Sequence, residues 1–392
     1  MRELAELAAA RDALEPRRVI RALAETFERW RAQGSPERAR LAREHGVHSP
    51  QVVERGIKLA LAGWNEESLT ALRARELSEP CWVPPVTAVW LAGSIPTAAF
   101  SALALPLLAG SAVYAKPASA DPTSARLFAA SLAETDPAIG AALSVGSDAK
   151  ALDDADAVVA HGSDATIALL RARVGSGRPF IGYGHKLSVA AIGPAIEPLV
   201  AARRLALDVA LWDGRGCLSP AWALALDTPR GRAAELARAL ATAFEELEDE
   251  LPRGKLEPAE ASELVELRAR AAVREGTRLE MAAGASTWTV ALEGGENRPP
   301  PGIFRFLSIV PVPDVESLGS FCAPLAPHLS CVGHAGFGTE RARLAVLAAA
   351  AGASRLCPLG RMQLPPIDWN HDGQPPLRGL VRWLDLEGTE SN

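Results

Sequence analysis

Along its middle third the chain alternates two hydrophobic patterns. Two apolar runs without alternation, Val83 to Trp90 and Ser111 to Ala115, read as strands buried on both faces, the second ending in Lys116, while ALSVGS and the start of DAVVAHGSDATIALLRARV read as further short strands. Between them the longer stretches PTAAFSALALPLLAG, ARLFAASLAET and DATIALLRARV read as helices. RPFIGYGHKLSVAAIG adds two short strands. Strictly alternating strand and helix predicts a parallel sheet faced by helices. Ligands in such sheets lie beyond the C-terminal strand ends, where Lys116, Gly162 and Ser163 fall.

Outside this region the pattern changes. Residues 1–75 are rich in Ala, Arg, Glu and Leu at helical spacing, with Pro50 in the first turn of one helix. A helix is expected over 197–211, a strand over AWALALDT, and helices across 230–275 broken near Pro252 to Pro258. Strands follow at 287–292 and 304–312, then a helix at 341–351 and a Pro- and Trp-rich tail. The uncharged stretch 80–115 is long enough to span a membrane. Pro84, Pro85, Pro96 and Pro106 divide it, so it reads as strand, helix and strand.

Composition narrows the function. The 392 residues suggest two or three domains. A net charge of -6 with no Lys/Arg-rich block leaves no electrostatic footprint for nucleic acid. Five widely spaced cysteines make no disulfide framework and fit a reducing cytoplasm. The first residues include acids and no apolar core, so no secretory leader is expected. Cys322, His328, Cys331 and His334 are zinc-ligand types, but their spacing fits no common finger or ribbon, and no metal is expected.

The candidate chemistry centres on Cys217. An apolar run ends at Asp213-Gly214-Arg215-Gly216, and the cysteine follows. Small residues around a thiol leave room for a substrate carbonyl, and nearby backbone N–H groups can bind an oxyanion. The competing reading is a buried structural cysteine. Ser163, after His161 and Gly162, opens a helix whose first N–H groups suit a pyrophosphate, although the same pattern makes an ordinary cap.

The order of these motifs resembles the aldehyde dehydrogenase superfamily and, within it, the LuxC-type acyl-CoA reductases. The likeness rests on VWLAGSIPTAAFSALALPLLAGSAVYAKPASADPTSA, on DGRGCLSP, and on GRMQLPPIDWNHDGQPPLRGLVRWLDLE. It implies an α/β fold: a helical N-terminal segment (1–75), a Rossmann-type nucleotide-binding domain (76–205), a catalytic domain (206–360) and a tail (361–392) that returns to a domain or subunit interface. It also implies that Cys217 attacks an acyl-CoA, that a nicotinamide reduces the resulting acyl-cysteine to an aldehyde, and that Lys116 contacts the adenosine ribose.

Departures from the family pattern refine this. The carboxylate that activates water in hydrolysing relatives would stand 35 positions before the cysteine, where this chain has Gly182. Without that base, transfer to or from a thiol is favoured over release of an acid; His185 is a nearby acid–base candidate. Ser94 stands in the place of an oxyanion-binding Asn. Ser119 replaces a Glu that holds both ribose hydroxyls, which removes repulsion against a 2′-phosphate and points to NADPH. Ile167 stands where the Gly-Ser turn pattern ends in Gly, and Arg305 where a Glu meets the nicotinamide ribose. Expected partners are an acyl-CoA, an acyl-carrier protein or acyl-protein synthetase, and further copies of the chain. Aldehyde oxidation, and a cofactor-binding subunit of weak activity, are the alternatives.

Overall fold

The computed structural model describes residues 4–78, 80–93, 95–282, 287–295 and 297–387. They form two compact units. The first comprises 1–41, 61–184 and 366–392; the second comprises 42–60 and 185–365.

The first unit is built on five parallel strands: β1 (Val86–Trp90), β2 (Ala112–Lys116), β3 (Leu143–Val145), β4 (Ala157–His161) and β5 (Phe180–Tyr183). Their order is β3-β2-β1-β4-β5. The order reverses between β1 and β4, so the crevice at their C-terminal ends is the expected ligand position of this topology. The uncharged stretch becomes β1, the helix Pro96–Ala109 and β2. Among the described residues no helix is long and apolar enough to cross a membrane. Helix Thr123–Thr135 starts where expected, because the Asp121 carboxylate accepts the Thr123 and Ser124 N–H groups. The helix Pro16–Arg31 buries Phe27 and Trp30, and the Trp30 indole donates to Ser131 Oγ at 2.8 Å. Phe100 stacks on Phe128 at 5.3 Å and completes this apolar seam.

The second unit holds seven strands: β6 (Leu187–Ile192), β7 (Pro220–Leu226), β8 (Arg278–Met281), β9 (Thr289–Leu292), β10 (Phe306–Val312), β11 (Leu329–Ala335) and β12 (Arg355–Pro358). The order is β12-β11-β6-β7-β10-β9-β8, parallel except where β8 meets β9. Every residue of β7 is buried, as a central parallel strand requires.

Two boundaries differ from the sequence reading. Residues 185–205 lie in the second unit, because β6 pairs with β7 and β11. The N-terminal helical segment is divided: the helix Pro50–Ala60 belongs to the second unit, where Gly56 lies against the Trp212 ring so closely that a Cβ would fall 2.3 Å from Trp212 Cζ2.

Candidate active site

The nucleophile candidate is in the second unit, at the N-terminal edge of β7. The helix Pro198–Ala210 ends, and Trp212, Asp213 and Gly214 follow with φ of 67°, 54° and 72°. Three left-handed residues in succession reverse the chain tightly, and for Trp and Asp that geometry persists only when the surroundings enforce it. Here they do. Asp213 is 1% exposed and its carboxylate accepts from Arg305 Nε at 2.7 Å, from His48 Nδ1 at 3.2 Å and from the Gly254 N–H at 3.1 Å. Burial alone would raise the Asp213 carboxyl, but the His48 hydrogen bond and the Arg305 charge outweigh it and hold it below the ordinary carboxylate range.

Each later residue of the turn is also fixed. Gly214 faces the Phe304 and Arg305 N–H groups, at 3.3 and 3.5 Å from where its Cβ would stand. Arg215 pairs with Glu260 and covers the Phe304 ring at 4.7 Å. The Cys217 carbonyl accepts from Ser188 Oγ at 2.6 Å, and the Ser219 N–H returns to the Gly216 carbonyl at 2.9 Å. Cys217 is half-buried and in no disulfide. Behind the turn, Gln363 Nε2 donates to Ser219 Oγ and to the Asp208 carbonyl. The Asp208 carboxyl, buried and holding the Gly360 and Met362 N–H groups, is pushed up by that burial to about 7.

The cofactor candidates are in the first unit, all at C-terminal strand ends. Lys116 closes β2 with its ammonium 3.9 Å from the Trp90 ring centroid. Ser119 is exposed in the following loop, whose Ala118 and Ala120 lie so near Gly93 that a Cβ there would stand 3.0 Å from each of their Cβ atoms. Gly162 donates its N–H to the Tyr183 carbonyl at 3.1 Å. Ser163 caps the helix Asp164–Val174 through the Thr166 N–H at 3.2 Å. Ser94 lies outside the described residues.

Gly182 and Ile167 explain each other. A Cβ on Gly182 would meet Ile167 Cγ2 at 2.6 Å and Phe180 Cε1 at 2.8 Å. Ile167 therefore fills the space beside residue 182, and a carboxylate side chain has no room to leave the backbone in the observed packing. The two departures noted separately in the sequence are one packing event.

His185 belongs to the second unit and is exposed; His328 Nδ1 approaches its carbonyl at 3.1 Å. Cys331 and His334 lie on β11, and Cys331 Sγ is 3.6 Å from Cys357 Sγ on β12. Among the described residues no three His, Cys, Asp or Glu side chains converge as a metal site.

Sequence reasoning missed the Asp213, Arg305 and His48 network. Its one local signal is an arginine inside the apolar run GIFRFLSIV, where a buried charge requires a partner. It also left His371 unassigned. His371 stacks on Tyr183 at 4.1 Å, and Tyr183 on His161 at 4.8 Å. His161 ends β4, and its Nε2 is buried with no hydrogen-bond partner among the described residues. Burial and the neighbouring His371 hold that imidazole neutral, with its pKa down at about 3. An orphaned polar atom at the switch-point strand end fits a bound dinucleotide.

The comparisons with known proteins agree with this fold. The family model described as Acyl-CoA reductase (LuxC) matches residues 8–383. An oxidoreductase from Marinobacter aquaeolei superimposes with a TM-score of 0.73 at 16% identity, covering 91% of this chain and 82% of its own. A methylmalonate-semialdehyde dehydrogenase from Oceanimonas doudoroffii gives 0.74 at 15%, covering 98% and 90%. A NAD-dependent benzaldehyde dehydrogenase from Corynebacterium glutamicum gives 0.71 at 17%, covering 97% and 87%. No curated protein matches the sequence.

Proposed function

The chain belongs to the LuxC acyl-CoA reductase family, and from that premise we propose that it reduces a fatty or other acyl-CoA to the aldehyde, with NADPH as reductant and an acyl-Cys217 thioester between the two half-reactions. Cys217 sulfur bonds to the thioester carbonyl carbon, and the CoA thiolate leaves with the electron pair and takes up a proton. The reduced nicotinamide supplies the hydride that acyl-cysteine accepts. Reforming the carbonyl then expels the Cys217 thiolate and releases the aldehyde. One proton is consumed per acyl-CoA reduced.

The observation that carries this reading is the packing of Ile167 at Gly182. It leaves no carboxylate to activate water there, so an acyl group on the thiol survives until hydride arrives. The hydrogen bonds on the Cys217 carbonyl and between Ser219 and Gly216 fix the backbone that carries the thiol, which supports a set line of attack on the acyl carbonyl. Lys116, with exposed Ser119 where a carboxylate would repel a 2′-phosphate, supports NADPH over NADH. CoA, a carrier protein or a partner synthetase can deliver the acyl group. An assembly of identical chains in the cytoplasm belongs to the same reading.

The test is mass spectrometry of protein incubated with acyl-CoA, followed by NADPH. An acyl adduct on Cys217 that NADPH discharges as aldehyde is expected, and Cys217→Ser abolishes turnover. Discharge as free acid would identify a hydrolysing enzyme; no adduct, with cofactor bound, would identify a non-catalytic subunit. Comparing KM for the two cofactors checks the second element, and a lower KM for NADH would overturn it.

A further inference from the structure

The segment that begins at Pro366 is part of the nucleotide-binding unit, and it is anchored there at several points. Arg75 Nη1 donates to Asp368 Oδ2 at 2.7 Å. The buried Glu76 carboxylate accepts the Leu377 N–H at 2.8 Å and the Arg378 N–H at 3.3 Å. Arg382–Trp383 pairs antiparallel with Cys81–Trp82. A tight turn, with Asp372 at φ 51° and Gly373 at φ 80°, closes between His371 and Gln374.

These anchors hold Trp369 and His371 over the C-terminal ends of β4 and β5. Trp369 packs on His371 at 4.7 Å, His371 stacks on Tyr183 at 4.1 Å with 13° between planes, and Tyr183 stacks on His161 at 4.8 Å. The chemistry of this ring ladder is selective. It contains no lysine or arginine, so it offers nothing to a phosphate. It offers aromatic rings, a phenol that burial and the neighbouring Asp372 carboxylate keep protonated, and a neutral imidazole whose Nε2 has no hydrogen-bond partner among the described residues. Aromatic faces with neutral hydrogen-bonding groups suit a flat, amide-bearing ring. The dinucleotide has two flat rings, and Lys116 with the Ser119 loop attend the adenosine side in the reading above.

We propose that the folded-back tail builds the nicotinamide subsite: His161 Nε2 bonds the carboxamide, and Tyr183, His371 and Trp369 form the wall against which the ring rests. This rests on the cofactor reading above.

Calorimetric titration of the full chain with NADPH and with 2′-phospho-ADP-ribose, which lacks the nicotinamide, separates the two ends of the cofactor. In His161→Ala and His371→Ala, NADPH affinity should fall about tenfold, while the truncated ligand should bind within about twofold of wild type. His371→Phe, which keeps a flat ring, should recover most of the His371→Ala loss. Unchanged NADPH affinity, or an equal loss for both ligands, would overturn the proposal. If the wild-type chain binds neither ligand, the cofactor reading itself has failed.

Discussion

The turn that carries Cys217 and the strand ends that carry Lys116, Ser119 and Ser163 are built on opposite principles. The turn is held by charge taken out of water: Asp213 and Arg305, each 1% exposed, with His48 and Glu248 attached. The strand ends are held by short-range devices at the surface, a helix cap at Ser163 and a cation over a ring at Trp90. A nucleophile gains from a fixed approach to its carbonyl, and the left-handed backbone at Trp212 and Asp213 needs a rigid frame. On the proposed reading, a cofactor that enters and leaves each cycle is served by groups that solvent already reaches. The contrast teaches where each half tolerates change: the turn fails as a unit, and the strand ends fail one contact at a time.

Breaking the turn should give the largest effect. Arg305→Met removes the Nε–H donated to Asp213 and leaves that buried carboxylate with the His48 and Gly254 hydrogen bonds and the Arg253 charge nearby. Losing one partner of a buried pair costs about 3–5 kcal/mol. Urea unfolding should show that loss, and alkylation of Cys217 should accelerate as the turn loosens. Arg305→Lys keeps the charge but not the fork and should fall between. An Arg305→Met chain as stable as wild type would mean that the turn does not depend on this pair.

That network also marks the limit of what the sequence discloses. The first unit's strands were legible, because strands buried on both faces read as apolar runs: β1 and β2 fall within 83–90 and 111–116, and β4 lies at the start of DAVVAHGSDATIALLRARV. β11 was not, because Cys331 and His334 break the apolar pattern of LSCVGHA, and only pairing with β6 and β12 accommodates them. Cys217 and Lys116 stood out as candidates by their neighbours, a Gly-rich bend and a strand end. Asp213 and Arg305 do not, since the partners lie 92 residues apart, and His48 is 165 residues from Asp213. The link between Gly182 and Ile167 was hidden for the same reason: each is a single departure until the packing joins them.

A pH experiment sharpens the comparison at the other region. His161 has a folded pKa of about 3 against an ordinary 6.5, through burial and the neighbouring His371. Between these values the unfolded chain binds a proton that the native chain refuses. The stability this contributes is full above pH 6.5 and is lost as pH falls toward 3. At pH 5 the loss is about 2 kcal/mol, from about 1.4 kcal/mol per unit of pH. Melting curves between pH 7 and pH 5 should therefore be shallower for His161→Phe than for wild type. Identical slopes would mean that His161 is already charged, or reached by water, in the native state.

The smallest expected effect is the most discriminating. Lys116 contributes through the Trp90 ring, a partly exposed contact, and such contacts are worth about 0.5–1 kcal/mol. Lys116→Met keeps the apolar stem against the indole and removes only the charge, so thermal unfolding should hardly change. NADPH binding should weaken more than NADH binding, because only the former adds a phosphate for the ammonium to meet. A region assembled from separable surface contacts permits that outcome, cofactor selectivity lost while the fold is untouched. If Lys116→Met instead unfolds the protein as Arg305→Met should, the strand ends are coupled as tightly as the turn, and the distinction between the two regions falls.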